Sequence, residues 1–159
     1  MKMVIQVVDD ATLKVDEKTI SQIGKGLVVF FGAEKGDTEE ALDFFAKKIA
    51  SLRIFADSEG KTNLSVKDVN GEVLLVSQFT LAGEFYHGNR PSFSNAEDFE
   101  LAKKRYERLA DILKQQYALP VKLGVFGADM KITQTNAGPF TAYLEKWKIK
   151  VKNIKYFVL

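Results

Sequence analysis

Two short segments place polar side chains at the ends of apolar, strand-like sequence, and they are the best candidates for chemistry in this chain. The first reads Ser-Gln-Phe-Thr-Leu at residues 77–81 and belongs to an apolar run that begins at residue 72. Buried polar side chains need hydrogen-bond partners, so these residues pair either with one another or with a ligand. The alternative interpretation is a strand end that emerges into solvent.

The second segment reads Asn-Ala-Gly-Pro-Phe-Thr at residues 136–141, between two strand-like pieces. A Gly-Pro step in this position is a turn signal, and an ordinary turn is the simplest interpretation. The alternative is a cis peptide bond, because an X-Pro bond loses only about 0.5–1 kcal/mol on becoming cis and a preceding glycine removes side-chain clashes. A cis step can present two backbone carbonyls side by side as acceptors for an ammonium group.

The usual catalytic side chains are absent from the sequence. It contains no cysteine and a single histidine, His87, so no cluster of histidine and cysteine ligands can form, and its acidic residues do not have the spacing of a calcium loop. No G-x-S-x-G elbow accompanies His87, and there is no P-loop or G-x-G-x-x-G motif. The sequence predicts no metal and no cofactor. Any chemistry must use backbone groups, hydroxyls or the substrate itself.

Composition bounds the class of protein but does not indicate a function. The 159 residues are 46% hydrophobic, which is enough for one domain with a real core. The charge balance of 23 basic and 21 acidic residues is too even to indicate a nucleic-acid binder. We find no signal peptide and no apolar run of membrane-spanning length, so we expect no membrane contact and a cytoplasmic location.

Hydrophobic patterning predicts one α/β domain with about eight to ten strands and two main helices. A hairpin turn is expected at Asp9 and Asp10, between the first two strands. The predicted strands cover residues 3–8, 11–15, 26–33, 53–56, 72–82, 121–126, 130–135 and 140–145, and residues 147–152 alternate again.

The two helices are predicted from apolar residues at helical spacing. The first follows a capping pair formed by Asp37 and Glu40 and extends to about residue 52. The second covers residues 96–117, with Ser94 and Glu97 as its capping pair and Pro120 just beyond its end. The basic residues of this helix are assigned to its solvated face: Lys103, Lys104, Arg105 and Arg108.

The two polar segments resemble the two signature motifs of the D-aminoacyl-tRNA deacylase family. Four further segments resemble family sequences in the family's order: Leu-Arg-Ile-Phe at 52–55, Asn-Leu-Ser-Val at 63–66, Arg-Pro-Ser-Phe-Ser at 90–94 and Phe-Gly-Ala-Asp-Met at 126–130. The resemblance implies a deacylase domain at residues 1–145 and a C-terminal extension at 146–159. Together with the pattern it predicts a single compact domain of mixed or antiparallel, barrel-like sheets with two helices packed outside.

The resemblance also implies a function and a partner. Family members hydrolyse the ester of D-aminoacyl-tRNA, and of mischarged glycyl-tRNA, as homodimers that bind the tRNA 3′ end. The first motif of one subunit faces the Gly-Pro motif of the other. The carbonyls of Gly138 and Pro139 would hold the amino group of the amino acid and exclude an L side chain.

The resemblance assigns roles to individual residues. The implied catalytic residues are Ser77, Gln78, Phe79 and Thr80, and the implied substrate-binding residues are Gly138, Pro139, Asn136, Met130 and Arg90. Backbone N–H groups near Phe79 would stabilise the oxyanion while the ribose 2′-hydroxyl assists cleavage. We assign Thr80 a positioning role, since no base is adjacent in sequence. From the sequence alone, Met130 is interpreted as a core residue. Phe79 is either a core residue, the preferred interpretation, or a stacking surface for the terminal adenine.

Several positions depart from the family pattern. Val7 replaces the usual arginine, while Ala137 and Phe140 replace the usual aspartate and valine of the second motif. His87 and Asn89 stand where lysine and arginine are common. These changes keep open a non-catalytic RNA-end or nucleotide-binding module that retains the same pocket. A third hypothesis, a hydrolase of another small ester or amide, is disfavoured because a catalytic triad is absent.

Overall fold

The computed structural model describes residues 1–145. The alternating segment at 147–152, part of the C-terminal extension predicted at 146–159, lies outside the described residues.

One six-stranded mixed sheet dominates the fold, and a two-stranded hairpin accompanies it. The strands are β1 (Lys2–Val15), β2 (Lys18–Ile23), β3 (Gly26–Gly32), β4 (Phe55–Ala56), β5 (Thr62–Leu64), β6 (Glu72–Ser77), β7 (Val121–Leu123) and β8 (Lys131–Glu145). The helices are α1 (Glu39–Ser51) and α2 (Phe99–Tyr117), with a 3₁₀ turn at Phe79–Ala82. The predicted class, a mixed α/β domain with a barrel-like sheet and two helices, is confirmed.

The sheet has the order β2-β1-β3-β6-β7, with β8 on the free side of β1. The pairs formed by β1 are antiparallel, whereas β3–β6 and β6–β7 are parallel. Parallel neighbours need a crossover connection. The first crossover contains α1 and the hairpin, and the second contains the 3₁₀ turn and α2.

The sheet curls until its two ends approach each other. The first half of β1 pairs with β3 and its second half with β2, while β8 pairs along nearly its whole length. The hydroxyl of Ser21 on β2 donates to the carbonyl of Leu123 on β7 at 2.6 Å. This bond joins the first and last strands of the order, so the sheet is nearly a closed barrel.

Two apolar cores occupy the two faces of the curled sheet. The helix-side core lies under α1 and α2 and contains Ile5, Val29 and Phe45. The inner core lies inside the curl and contains Leu13 and Leu74. Alternate residues of β3 and β6 enter opposite cores, which explains why both strands read as continuous apolar runs. No helix in residues 1–145 is long and apolar enough to cross a membrane.

The predicted hairpin at Asp9 and Asp10 is wrong, because β1 continues through both residues. The pairing of β1 with β8 is irregular between Gln6 and Asp10, and the two aspartates are exposed there. The true turn is at Asp16 and Glu17, which have φ values of 49° and 61°. The strand that follows it, β2, was not predicted because only two of its six residues are buried.

Other strand boundaries also differ from prediction, among them those of β6, β7 and β8. The strand predicted at 72–82 ends at Ser77, where the chain turns into the 3₁₀ turn, and β7 ends at Leu123. The pieces predicted at 130–135 and 140–145 are one strand, β8, so the interpretation as an ordinary turn is wrong. The Gly138–Pro139 bond is cis, as the second interpretation proposed.

Both predicted helices exist, but their predicted capping residues are wrong. Thr38 is the N-cap of α1, whereas Asp37 accepts hydrogen bonds from the Met1 ammonium group at 2.6 Å and the Glu34 N–H at 2.7 Å. The N-cap of α2 is Asp98, whose carboxylate accepts from the N–H groups of residues 100 and 101. Only the second helix therefore begins with a side-chain capping bond, because Thr38 makes none.

Replacing Gly26 with alanine should unfold the protein far more readily than replacing Gly24. A Cβ at Gly26 would lie 1.9 Å from the backbone oxygen of Glu72, whereas a Cβ at Gly24 would meet nothing nearer than 3.9 Å. We expect a loss of about 3 kcal/mol for Gly26→Ala and a change within about 0.5 kcal/mol for Gly24→Ala. Urea unfolding measures both, and equal losses would contradict the close approach of β3 and β6.

Candidate active site

A large pocket lies where the parallel strands β3 and β6 end. Its volume is about 570 Å³, which is in the range of small-molecule sites. Its walls come from the end of β3, the first motif, the start of α2 and residues 126–130. Parallel strands end at the same edge of the sheet, so the topology itself creates this concave surface.

The first motif forms one wall of the pocket. Ser77, Gln78 and Phe79 line it directly. Ser77 is the last residue of β6 and pairs with Phe31, and the N–H of Gln78 extends this pairing by donating to the Phe31 carbonyl at 2.7 Å. The segment is therefore fixed to the sheet on one side and faces a cavity on the other.

Phe79 is 59% exposed, so its assignment to the core is wrong. Its ring contacts the edge of Phe93 with 5.0 Å between the ring centroids. Phe79 and Thr80 are the first residues of the 3₁₀ turn, where N–H groups have no partner within the turn. Phe79 is exposed because β6 ends at Ser77 and the chain turns before Phe79. The apolar pattern of the sequence does not show where the strand ends.

Thr80 does not line the pocket, and its hydroxyl donates to the Gln78 side-chain oxygen at 2.7 Å. An amide oxygen is not a general base, so this contact orients the two side chains without activating the hydroxyl. The geometry fits the positioning role assigned to Thr80 from the sequence.

The opposite wall is the segment at residues 126–130. The ring of Phe126 packs edge-on against Phe99, with 5.0 Å between centroids, and at a tilt against Tyr106, with 5.6 Å between centroids. Met130 lines the pocket and also packs against the inner core, as expected of the core residue that the sequence predicts. Its implied role in binding substrate stays a prediction. Phe126 and Phe99 both line the pocket, and their rings suit a flat, apolar group.

Tyr106 holds the strand ends beneath the pocket, and sequence reasoning assigned it only to the apolar stripe of α2. Its hydroxyl donates to the Leu75 carbonyl at 2.7 Å and lies 3.4 Å from the Gly124 carbonyl. Burial raises the pKa of Tyr106 well above its ordinary value. A tyrosine in a buried stripe needs an acceptor for its hydroxyl, and that requirement is the signal that could have found it.

Two carboxylates, those of Glu97 and Asp129, also line the pocket. Glu97 forms an ion pair with Arg105, which also donates to the backbone oxygen of Asp37. Arg105 is 8% exposed, so its assignment to the solvated face is wrong. Because this arginine offsets the charge of Glu97, the pocket is less acidic than its two carboxylates suggest.

The second motif lies away from the pocket of its own chain. Asn136, Gly138 and Pro139 belong to β8 and are exposed. The strands β3 and β1 separate β8 from β6, which corresponds to about 14 Å along the sheet at ordinary strand spacing. The structure brings Ser77, Gln78, Phe79 and Met130 together, but not these three residues.

Arg90 and His87 lie on an exposed loop between the 3₁₀ turn and α2. The loop is narrowed by an antiparallel bridge between Glu84 and Ser92, and His87 Nε2 lies 3.7 Å from a Glu84 carboxylate oxygen. Neither Arg90 nor His87 lines the pocket.

Fold and site define the class as a small α/β protein with a curled mixed sheet and an aromatic pocket at the ends of its parallel strands. A family model described as D-Tyr-tRNA(Tyr) deacylase matches residues 4–145. A D-aminoacyl-tRNA deacylase of Persephonella marina is 50% identical over 145 residues, covering 91% of this chain and 97% of the relative. The chain therefore belongs to the D-aminoacyl-tRNA deacylase family, which consists of ester hydrolases.

A second relative carries the same description, and two solved structures share the fold. A D-aminoacyl-tRNA deacylase of Thermotoga petrophila is 47% identical, covering 94% of this chain and 99% of the relative. A structure titled c-Myc DNA Unwinding Element Binding Protein has a TM-score of 0.87 and 39% identity, covering 92% of this chain and 99% of its own. A probable eukaryotic D-amino acid tRNA deacylase has a TM-score of 0.78 at 18% identity, covering 90% and 97%, and shows the shared fold.

Replacing Tyr106 with phenylalanine should change how stability depends on pH. At pH 8 the variant lacks the hydroxyl bond to Leu75, which costs about 1 kcal/mol. Above about pH 10 the unfolded tyrosine ionises while the buried one keeps its proton, so wild type loses stability that the variant does not. The difference in thermal midpoint between wild type and Tyr106→Phe should become smaller from pH 8 to pH 11. A difference that stays constant would contradict the raised pKa of Tyr106.

Proposed function

We propose that the protein hydrolyses the ester bond that joins a D-amino acid, or misplaced glycine, to the 3′ end of tRNA. The products are the free amino acid and tRNA. The observation that carries this proposal is the position of the first motif, which forms one wall of an aromatic pocket opposite residues 126–130. Acting on tRNA assigns the protein to translation quality control in the cytoplasm.

The pocket has the chemistry expected for the terminal adenosine. Phe99 and Phe126 present aromatic surface, and Met130 adds an adaptable apolar contact. Proteins hold unpaired RNA bases by stacking on such rings. With the adenosine seated there, the ester would lie beside the N–H groups of Phe79 and Thr80, which would stabilise the oxyanion.

The complete site would need two chains. The Gly138–Pro139 step is exposed and does not line the pocket of its own chain, so a second copy would supply it. A twofold symmetric homodimer is the simplest arrangement that completes both sites at once. Sedimentation as a monomer at micromolar concentration would contradict this arrangement.

Chiral selection would depend on the partner's Gly138–Pro139 segment. Its carbonyl oxygens would accept hydrogen bonds from the ammonium group of the amino acid. In that orientation an L side chain would collide with the segment, a D side chain would point away, and glycine would have nothing to exclude.

Arg90 would bind phosphate groups near the 3′ end, which suits its exposed position.

The substrate itself would supply the missing reactive group. The hydroxyl of Thr80 is engaged with an amide oxygen, and His87 lies outside the pocket. The 2′-hydroxyl of the terminal ribose is adjacent to the ester carbonyl and can act within the same molecule.

The decisive experiment follows ester loss from D-Tyr-tRNA, L-Tyr-tRNA and Gly-tRNA in parallel. We expect cleavage of the D-tyrosyl and glycyl esters and survival of the L-tyrosyl ester. Binding of all three without cleavage of any would instead support a non-catalytic RNA-end binding module, the alternative that Val7 and Ala137 keep open.

Thr80→Ala should lower the rate of D-Tyr-tRNA cleavage by roughly tenfold to a hundredfold, or about 1.4–2.7 kcal/mol. The variant would lose only the contact that orients Gln78. Single-turnover rates measure the effect, and Thr80→Ser is the matched control because it keeps the hydroxyl. A loss of several orders of magnitude with tRNA binding intact would show that Thr80 acts chemically.

A D-aminoacyl-tRNA that ends in 2′-deoxyadenosine should bind almost normally and be cleaved far more slowly. The loss arises because intramolecular assistance, worth several kcal/mol, disappears with the hydroxyl. Binding and single-turnover cleavage are measured for the ribose and deoxyribose forms. Equal cleavage rates would mean that the protein supplies the reactive group.

A further inference from the structure

Four polar side chains of β1 and β8 form a continuous hydrogen-bonded ladder. The Gln134 amide nitrogen donates to the Gln6 side-chain oxygen at 2.8 Å and to the Asn136 side-chain oxygen at 2.6 Å. The Gln6 amide nitrogen in turn donates to the Thr141 hydroxyl at 3.3 Å. We call these residues the amide ladder.

The amide ladder spans the bulge that carries the Gly-Pro step. Asn136 pairs with Val8 and Thr141 with Gln6, so residues 137–140 stand opposite Val7 alone. Four residues opposite one cannot keep regular strand pairing, and the extra length must leave the sheet. The amide ladder holds the two residues that immediately flank this bulge.

The bulge is anchored from the helix side as well. Ala137 and Phe140 pack against the helix-side core, to which Val7 belongs. Between these two anchors, Gly138 and Pro139 are exposed, and nothing in the described chain covers them. The position of the Gly138–Pro139 step therefore depends on the residues on both sides of it. Ala137 and Phe140 hold it on the face that packs against the core, and the amide ladder holds it on the other face.

Gln134 is an unusual choice for its place in the sheet. It pairs with Ala11, an inner-core residue, and lies two residues from Ile132, which packs against the same core. Its side-chain oxygen is buried and has no partner within the described residues. A buried oxygen without a hydrogen-bond partner lowers stability, so an apolar residue would stabilise this position better.

We propose that Gln134 and Gln6 are positioning residues that set the Gly138–Pro139 step through Asn136 and Thr141, and thereby set the discrimination between D- and L-aminoacyl esters. This inference rests on the proposed function. Without the ladder, the flanking residues move more freely and the step no longer blocks an L side chain reliably. Removing the ladder should therefore lower the selectivity for D- over L-aminoacyl esters and leave the pocket at the end of β6 unchanged.

The test compares Gln134→Leu, which keeps the volume but removes the amide, with Thr133→Val on the adjacent position of β8. The ratio of kcat/KM for D-Tyr-tRNA and L-Tyr-tRNA should fall at least tenfold in Gln134→Leu and stay unchanged in Thr133→Val. Gln6→Leu should give a similar fall, and the double variant should lose no more than either single one, because both act through one ladder. Thermal midpoints check that each variant is folded.

Amide hydrogen exchange across residues 137–141 of the free protein supplies a readout independent of activity. We expect exchange to accelerate at least tenfold in Gln134→Leu and not in Thr133→Val. Unchanged exchange and an unchanged D/L ratio would overturn the ladder's role and leave the proposed function intact. If wild type cleaves no ester, the proposed function fails, and the exchange rates still decide whether the ladder holds the step.

Discussion

Parallel pairing of β3 with β6 is the constraint on which the rest of the molecule depends. Two buried parallel strands require crossovers, and the crossovers carry the helices that cover one face of the sheet. The close approach of Gly26 to the Glu72 backbone fixes this pair at its beginning. At the other end both strands stop at one level, and the pocket opens there with the first motif on its rim.

The long strand β1 lies between the strands that carry the two motifs, and it also joins the other strands of its half of the sheet. It pairs with β2, β3 and β8, and it contributes to both cores. Because β1 and β3 stand between β6 and β8, one chain cannot bring its Gly-Pro step beside its own pocket. This separation within one chain is the observation on which the proposed two-chain site rests.

Sequence patterns predicted the features that residues close together in the sequence determine. Apolar runs located β3 and β6, helical spacing located α1 and α2, and polar residues after an apolar run located the wall formed by Ser77 and Gln78. The patterns failed where distant residues decide the outcome. Asp37 does not cap α1, because its carboxylate accepts a hydrogen bond from the Met1 ammonium group. Gln134 donates to Gln6, 128 residues away, and only the register of β1 and β8 brings the two side chains together.

The bulge in β8 has a consequence for solubility. In the described chain β8 pairs only with β1, so a fifteen-residue strand presents an outer edge to which a foreign strand could add. Natural proteins interrupt such edges with prolines, which lack an N–H group, and with bulges that break the flat template. Pro139 and the extra residues around it do both at the middle of β8. A redesign that straightened this strand would remove the exposed Gly138–Pro139 step and expose an aggregation site at the same time.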